Sequence, residues 1–111
     1  MAYTISTDYK QDEIQLARFA KAMGHPARIA ILKYLSSINA CYFSEINKEL
    51  PIAKATVSQH LAELKDAGLI RGSIEPPKVN YCIDKENWEK AMGLFDSFFE
   101  IPVYHRKDSC L

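Results

Sequence analysis

Residues 54–68 read KATVSQHLAELKDAG, and this stretch decides the fold that the sequence predicts. At a helical rotation of about 100° per residue, Val57, Leu61 and Leu64 form one narrow apolar stripe. Small and amide side chains occupy the other sides of the first turns: Ala55, Thr56, Ser58, Gln59 and Ala62. Charged residues come mostly later, at Glu63, Lys65 and Asp66. The pattern predicts an amphipathic helix that ends at Gly68 and has an uncluttered outward N-terminal face.

The residues on either side of this helix extend it into a larger motif. Ser44 is placed to cap a short helix over 44–50, and residues 51–53 form a tight connection into the helix. After Gly68 the segments 69–74 and 79–83 predict two strands, joined at a hairpin tip that contains two prolines. Periodicity alone equally fits an ordinary core helix at 54–67. The hairpin that follows favours a winged helix-turn-helix, whose second helix enters the DNA major groove.

Three further helices complete the predicted order. The apolar spacing of residues 9–23 indicates an amphipathic helix, which Gly24-His25-Pro26 ends before a second helix at 26–37. Asp84 is placed to cap a last helix over 85–100, and Pro102 follows its end. The predicted fold class is mostly α with a small β-hairpin, in the order four helices, hairpin and one helix.

Length, charge and cysteine content limit the function classes. The chain has 111 residues, which predicts one domain over 1–111 with a loose lead-in at 1–8 and a tail at 102–111. Fourteen basic residues balance fourteen acidic ones, so a nucleic-acid interpretation depends on where the charges lie. With no signal-peptide pattern, no apolar run of about 20 residues and three scattered cysteines, the chain is expected in the cytoplasm, away from membranes.

Three runs of sequence together resemble a known family. They are MGHPARIAIL at 23–32, ATVSQHL at 55–61 and LKDAGLI at 64–70, followed by a hairpin whose second strand carries Tyr81. In this combination the chain resembles the arsenical-resistance and metallothionein-repressor (ArsR/SmtB) family. The resemblance implies a homodimeric winged helix that binds double-stranded DNA and blocks transcription until an effector loosens it from its operator.

The resemblance also implies which residues contact DNA. It places six residues on the recognition helix: Lys54, Ala55, Thr56, Ser58, Gln59 and His60. We expect Gln59 and Thr56 to contact base edges, because an amide can pair with adenine, and Ser58 and Lys54 to contact phosphates. For His60 a structural hydrogen bond and a phosphate contact remain equally open.

Basic residues elsewhere supply further candidate contacts. Arg71 and Lys78, at the base and near the tip of the hairpin, are placed to contact the DNA backbone. The tip at 75–78 is poorer in arginine than is usual in the family, so the dependence of binding on salt should be shallow. Arg28 has two open roles, a phosphate contact or a structural ion pair.

The last predicted helix carries two apolar stripes. Trp88, Met92, Phe95 and Phe99 form one, and Ala91, Leu94, Phe98 and Ile101 form the other. One stripe suffices to dock a helix on its own domain, so the second predicts a dimer contact. The expected interface comprises Leu16, Phe19, Trp88, Ala91, Leu94, Phe95, Phe98 and Phe99. A two-fold dimer predicts an inverted-repeat operator, and a fully buried monomer helix is the alternative.

Metal-ligand positions of the family are poorly filled here. Tyr42 and Ser44 stand where its metal members carry a Cys-x-Cys pair, and Phe98 stands where the last helix would carry a histidine. No cofactor is therefore expected. Cys41, His105 and Cys110 remain weak candidates for a soft-metal or thiol sensor, against the simpler interpretation that the cysteines are incidental and Cys82 is buried.

Two other function classes compete with the DNA-binding regulator. A winged helix used only for protein–protein contact is compatible with the zero net charge and the acidic hairpin tip. An enzyme is not expected, because the sequence contains neither a glycine-rich phosphate loop nor a His-Glu-x-x-His motif. An unknown small-molecule, metal or redox effector remains possible.

Overall fold

A computed structural model of the chain describes residues 8–37, 54–75 and 78–104. The described elements are α1 (Gln11–Met23), α2 (Pro26–Ser37), α3 (Lys54–Asp66), β1 (Ile70–Glu75), β2 (Lys78–Ile83) and α4 (Lys85–Phe99). The mostly helical prediction with one hairpin is confirmed, and the element ends agree to within two residues. The predicted helix at 44–50 lies outside the described residues. No described helix is long and apolar enough to cross a membrane.

The corner between α1 and α2 lies at residues 24–26, where the sequence predicts that one helix ends and the next begins. The Gly24 N–H donates to the Lys21 carbonyl at 3.3 Å, which closes α1. The His25 carbonyl then accepts from the N–H groups of Arg28 and Ile29, which begins α2. His25 Nδ1 also accepts from the Ala27 N–H at 3.0 Å. His25 therefore caps the first turn of α2 through both its backbone and its ring.

The joint between α3 and β1 depends on Gly68. Its φ of 87° lies in the left-handed region that suits glycine after a helix. Its N–H donates to the Lys65 carbonyl at 2.9 Å, and the Leu69 N–H donates to the Leu64 carbonyl at 3.1 Å. The Gly68 carbonyl accepts from Asn87 Nδ2 at 2.9 Å. The end of α3 is thereby tied to the first turn of α4.

The strands form an antiparallel hairpin, called the wing below. Its register runs from Ile70 opposite Ile83 to Glu75 opposite Lys78. The Asp84 N–H donates to the Leu69 carbonyl at 3.0 Å, and the Asp84 side chain accepts from the Asn87 N–H at 3.1 Å. Asp84 therefore ends the wing and caps α4, as predicted.

One apolar core joins these elements. Its buried members are Phe19, Ala22, Ile31, Leu32, Leu35, Val57, Leu61, Leu64, Leu69, Ile70, Tyr81 and Ala91. They come from every described helix and from both strands, so α3 is held against α1, α2 and β1. Burial of this apolar surface fixes the side of α3 that can face a partner.

Candidate nucleic-acid interface

The two sides of α3 differ in burial as its sequence predicts. Val57, Leu61 and Leu64 are buried in the core. Ser58 and Gln59 are exposed, and Thr56 is half-buried. Ala62, one turn further on, is exposed as well. Among the described side chains, the uncovered side of the first turns therefore carries the Ser58 hydroxyl and the Gln59 amide, and Ala62 adds a methyl group on the turn that follows. Both polar side chains can donate to and accept from base edges or phosphates.

Two other predicted contacts lie at the start of this helix. Lys54 and Ala55 belong to its first turn, but their side chains lie outside the described part of the chain. The first turn of a helix carries free N–H groups and a partial positive charge, which favour a phosphate oxygen nearby.

The acidic residues lie at the other end of α3, where α1 pairs with them. Arg18 of α1 donates to Asp66 Oδ2 at 2.8 Å, and its second terminal nitrogen lies 3.0 Å from Glu63 Oε1. This pairing offsets negative charge on the helix that would approach a DNA backbone. Sequence reasoning missed Arg18, because 48 residues separate it from Asp66 and no local pattern joins them.

His60 does not face outward with its neighbours. Its side chain is 6% exposed and packs toward the corner between α1 and α2. His60 Nδ1 accepts from Arg28 Nε at 3.0 Å, and Arg28 Nη1 donates to the Ala22 carbonyl at 3.1 Å. Of the two expectations for His60, the geometry fits the structural hydrogen bond. Arg28 is part-buried, and these two described contacts are hydrogen bonds to uncharged acceptors.

The surroundings of His60 disfavour its charged form. Burial, the His25 ring and the Arg28 guanidinium lower the pKa of His60, in that order of importance. The centroids of the two imidazole rings lie 4.6 Å apart. An unfolded histidine takes up a proton near pH 6.5, and the buried His60 does so only at lower pH. Lowering the pH below about 6.5 therefore destabilises the folded arrangement and favours states in which the His60 ring is no longer buried.

The wing carries two of the predicted contacts to the DNA backbone, Arg71 and Lys78. Arg71 is exposed, yet it shares a polar cleft with Lys85 and with three acidic residues of the α4 start: Asp84, Glu86 and Glu89. Lys78 lies opposite Glu75 in the register, and its side chain lies outside the described residues. Tyr81 is buried in the core, and this burial raises its pKa. Within the described wing, Arg71 is therefore surrounded by charges of both signs.

The two predicted stripes of α4 are divided differently in the structure. Ala91 is buried, and Trp88, Leu94 and Phe95 pack against the core. The exposed apolar residues are Met92, Phe98, Phe99 and Ile101, with Phe99 77% exposed. Each stripe thus contributes to both sets, because the last turns of α4 extend beyond the core. Phe19 and Ala91, which the sequence assigned to the dimer interface, are core residues with almost no area left for a partner, whereas Leu16 is half-buried.

A small apolar hollow adjoins the exposed part of α4. Met23, Leu69, Trp88, Ala91, Met92 and Phe95 line it, and its volume is about 160 Å³. The lining is almost entirely apolar. Exposed aromatic residues beside an apolar hollow are typical of a surface that another protein covers.

No group of three or more metal-ligating side chains occurs within ranges 8–37, 54–75 and 78–104. Cys41, His105 and Cys110 lie outside those ranges, so their sensor role stays a prediction. Cys82 is half-buried rather than fully buried and carries a free thiol. A second residue that the sequence did not single out, Asn87, joins α4 to the end of α3.

The chain is similar to known proteins in sequence. The family described as "Bacterial regulatory protein, arsR family" matches residues 25–71. The chain is 35% identical to the HTH-type transcriptional regulator YgaV of Escherichia coli, over 65% of this chain and 73% of YgaV. It is 32% identical to the transcriptional repressor PagR of Bacillus anthracis, over 72% of this chain and 92% of PagR.

A solved structure has the same fold. The homodimeric winged helix-turn-helix DNA-binding domain of Mb0332 from Mycobacterium bovis superposes with a TM-score of 0.62 at 23% identity, covering 94% of this chain and 98% of that domain. The exposed α3 face, the wing and the closing helix α4 define a winged helix-turn-helix transcriptional regulator. The chain belongs to the arsR family of bacterial regulatory proteins, and it is a regulator rather than an enzyme.

Proposed function

We propose that the chain binds double-stranded DNA as a homodimer and represses transcription from an inverted-repeat operator. The observation that carries this proposal is the uncovered N-terminal side of α3, where Ser58 and Gln59 are exposed above the buried Val57 and Leu61. A helix with this division can lie in the major groove while its other side stays in the protein core.

Each candidate side chain of α3 has a specific contact in this proposal. Gln59 reads a base edge, because its amide matches the donor and acceptor pair of adenine. Thr56 lies one turn earlier and reads the neighbouring base, and Ala62 lets the helix approach the duplex closely. Ser58 and Lys54 bind phosphates on either side of the groove. His60 takes no part in contacting DNA.

Few phosphate contacts are proposed outside the helix. The chain has zero formal net charge, and Arg71 lies beside acidic side chains. Arg71 and Lys78 therefore add little to the affinity, which should fall only gently as salt is raised. The same argument makes base-edge contacts by α3 a large share of the binding free energy.

The homodimer of the proposal forms through the end of α4. Phe98, Phe99 and Met92 are 52%, 77% and 51% exposed, which is a large uncovered apolar area for a chain of this size. A second copy supplies a matching surface through a two-fold axis, as Mb0332, itself described as homodimeric, would suggest. Trp88, Leu94 and Phe95 then line the inner edge of the contact.

Repression rather than activation is proposed because PagR is named a transcriptional repressor. Residues 1–111 act as one domain in the cytoplasm, where the operator lies. Cys41, His105 and Cys110 are the candidate residues for a soft-metal or thiol effector that releases the operator.

The test is selection of duplexes from a random DNA library by the full chain, followed by footprinting. The expected footprint has two protected half-sites about one helical turn apart, related by inversion. Gln59→Ala should weaken binding by about 1–3 kcal/mol and relax preference at one base pair of each half-site. Gln11→Ala, the same change on the exposed first turn of α1, is the matched control.

The outcomes separate the alternatives. Failure to retain any duplex at low salt would overturn the proposal and favour a winged helix used for protein contact. A single unsymmetrical footprint would contradict the two-fold dimer. Unchanged base preference in Gln59→Ala would contradict the assigned contact.

A further inference from the structure

Arg28 connects three helices at one point. It belongs to the first turn of α2, donates through Nη1 to the Ala22 carbonyl in the last turn of α1, and donates through Nε to His60 Nδ1 on α3. His60 directly follows Gln59, whose side chain is exposed on the other side of α3. The hydrogen bond between Arg28 and His60 and the buried apolar stripe of α3 thus together hold the exposed face of α3 in place relative to α1 and α2.

The hydrogen bond fixes the protonation state of His60. The arginine guanidinium has only donors, so the atom that receives its Nε–H must be an acceptor. His60 Nδ1 therefore carries a lone pair, and a neutral His60 carries its proton on Nε2. Nε2 is buried and finds no hydrogen-bond partner among the described residues. A protonated ring would turn Nδ1 into a donor that faces another donor.

Charges on the surrounding elements reinforce this requirement. The elements that pack against α3 are α1, α2 and β1. Of their charged groups, Arg18 on α1 pairs with Glu63 and Asp66. Lys33 on α2 and Arg71 on β1 are exposed. Among the described residues, the titratable or charged groups that contact the ring are His25 and Arg28, and both are basic. A positive charge on His60 therefore meets repulsion from its nearest neighbours.

We propose that Arg28 and His60 are positioning residues for DNA binding, whose hydrogen bond holds the reading face of α3 only while His60 is neutral, so that operator affinity is lost on acidification. The proposal rests on the DNA-binding function given above. Protonation breaks the Arg28–His60 bond and pushes the two side chains apart, which moves the exposed Gln59 and the half-buried Thr56 away from their register in the groove. Small displacements of this kind are costly, because base contacts require close geometry.

The sign of this effect distinguishes it from ordinary electrostatics. Protonation of an exposed histidine beside DNA adds positive charge and strengthens binding to phosphates. Acidification should therefore strengthen binding if exposed histidines alone respond. The Arg28–His60 bond predicts the opposite, a weakening that begins as His60 takes up its proton.

The experiment compares pH profiles of affinity for the selected duplex at constant ionic strength. Between about pH 7.5 and pH 5, wild-type affinity should fall by about fivefold or more, with most of the fall below pH 6.5 because the pKa of His60 is lowered. His60→Asn places an amide oxygen near the position of Nδ1 and cannot be protonated in this range. Its affinity should change by less than about threefold over the same interval. His25→Asn, the matched change at the exposed ring, should keep most of the wild-type fall.

A second variant keeps the test informative if His60→Asn fails to fold. Arg28→Met removes the donor and its charge, so it should bind about tenfold more weakly near pH 7.5 and respond less to acid. Circular dichroism and sedimentation at each pH separate loss of positioning from unfolding or dissociation. If affinity falls only in step with helix content, the role is merely structural.

The possible failures are distinct. A wild-type profile that is flat or rises on acidification overturns the positioning proposal and leaves the DNA-binding proposal standing. The same conclusion follows if His60→Asn falls as steeply as wild type. A chain that retains no duplex at any pH contradicts the DNA-binding proposal, and the positioning role falls with it.

Discussion

The helices α3 and α4 each bury one side in the core, but their exposed sides carry different types of side chain. Each docks one apolar side on the shared core, through Leu61 and Leu64 in α3 and through Ala91 in α4. The uncovered side of α3 carries small polar groups, whereas the uncovered side of α4 carries exposed phenylalanines. Helical periodicity identifies the covered side of α3, but it does not separate the covered residues of α4 from the exposed ones.

The difference indicates two kinds of partner. A short hydroxyl or amide satisfies its hydrogen bonds in water and exchanges them for base edges at little cost. An exposed aromatic ring gains free energy only when another apolar surface covers it. The helix with polar uncovered residues is therefore assigned to DNA, and the helix with apolar ones to a second copy of the chain.

The largest expected effect comes from a charged substitution on the exposed apolar side of α4. Phe98→Glu places a carboxylate in the proposed dimer contact, which should cost about 3 kcal/mol or more and lower the association constant over a hundredfold. Sedimentation should show a monomer that keeps its helix content but has lost tight DNA binding. Ser97→Glu adds the same charge at the exposed neighbouring position and should leave the dimer intact. A Phe98→Glu protein that still sediments as a dimer would contradict the assignment of α4.

Much of the fold could be predicted, because its signals are local. The period of Val57, Leu61 and Leu64 fixed the buried side of α3, and Gly68 and Asp84 marked where helices end and begin. Such signals need only a few neighbouring residues. They are therefore readable without knowing what the chain packs against.

The parts that were missed depend on distant residues or on the extent of the core. Arg28 and His60 are separated by 32 residues, so no periodic pattern could join them. For α4, periodicity gave the direction of each side chain but not where the core ends. Phe98 follows Ala91 by two helical turns and points to the same side, yet Ala91 is buried and Phe98 is half exposed.

An intermediate effect is expected at the joint between the two helices. Gly68→Ala should destabilise the chain by about 1–2 kcal/mol, because a side chain is strained at a φ of 87°. The added Cβ would also lie 2.9 Å from Asn87 Nδ2, the group that ties α4 to the end of α3. Urea unfolding at one fixed protein concentration measures the change.

Gly93→Ala is the matched control for that change. Gly93 lies within α4, and a Cβ there meets nothing within 4 Å. Alanine also favours helix over glycine, so this variant should be stabilised by about 0.5–1 kcal/mol. Two glycine-to-alanine changes of opposite sign would show that the α3–α4 joint is a specific constraint. Equal effects at both positions would contradict the strain assigned to a side chain at Gly68.

The smallest effect sharpens the comparison at the charged end of α3. Arg18→Met removes the partner of Glu63 and Asp66, but Asp66 is largely exposed, so stability should fall by only about 0.5 kcal/mol. DNA affinity should respond more, because the two carboxylates are then uncompensated on the helix that approaches phosphates. We expect a loss of a few-fold at low salt that shrinks at high salt, since screening weakens interactions between exposed charges.

Lys33→Met, which removes an exposed charge from α2, controls for net charge. A loss independent of salt would mean that Arg18 acts on the position of α3 rather than on its charge.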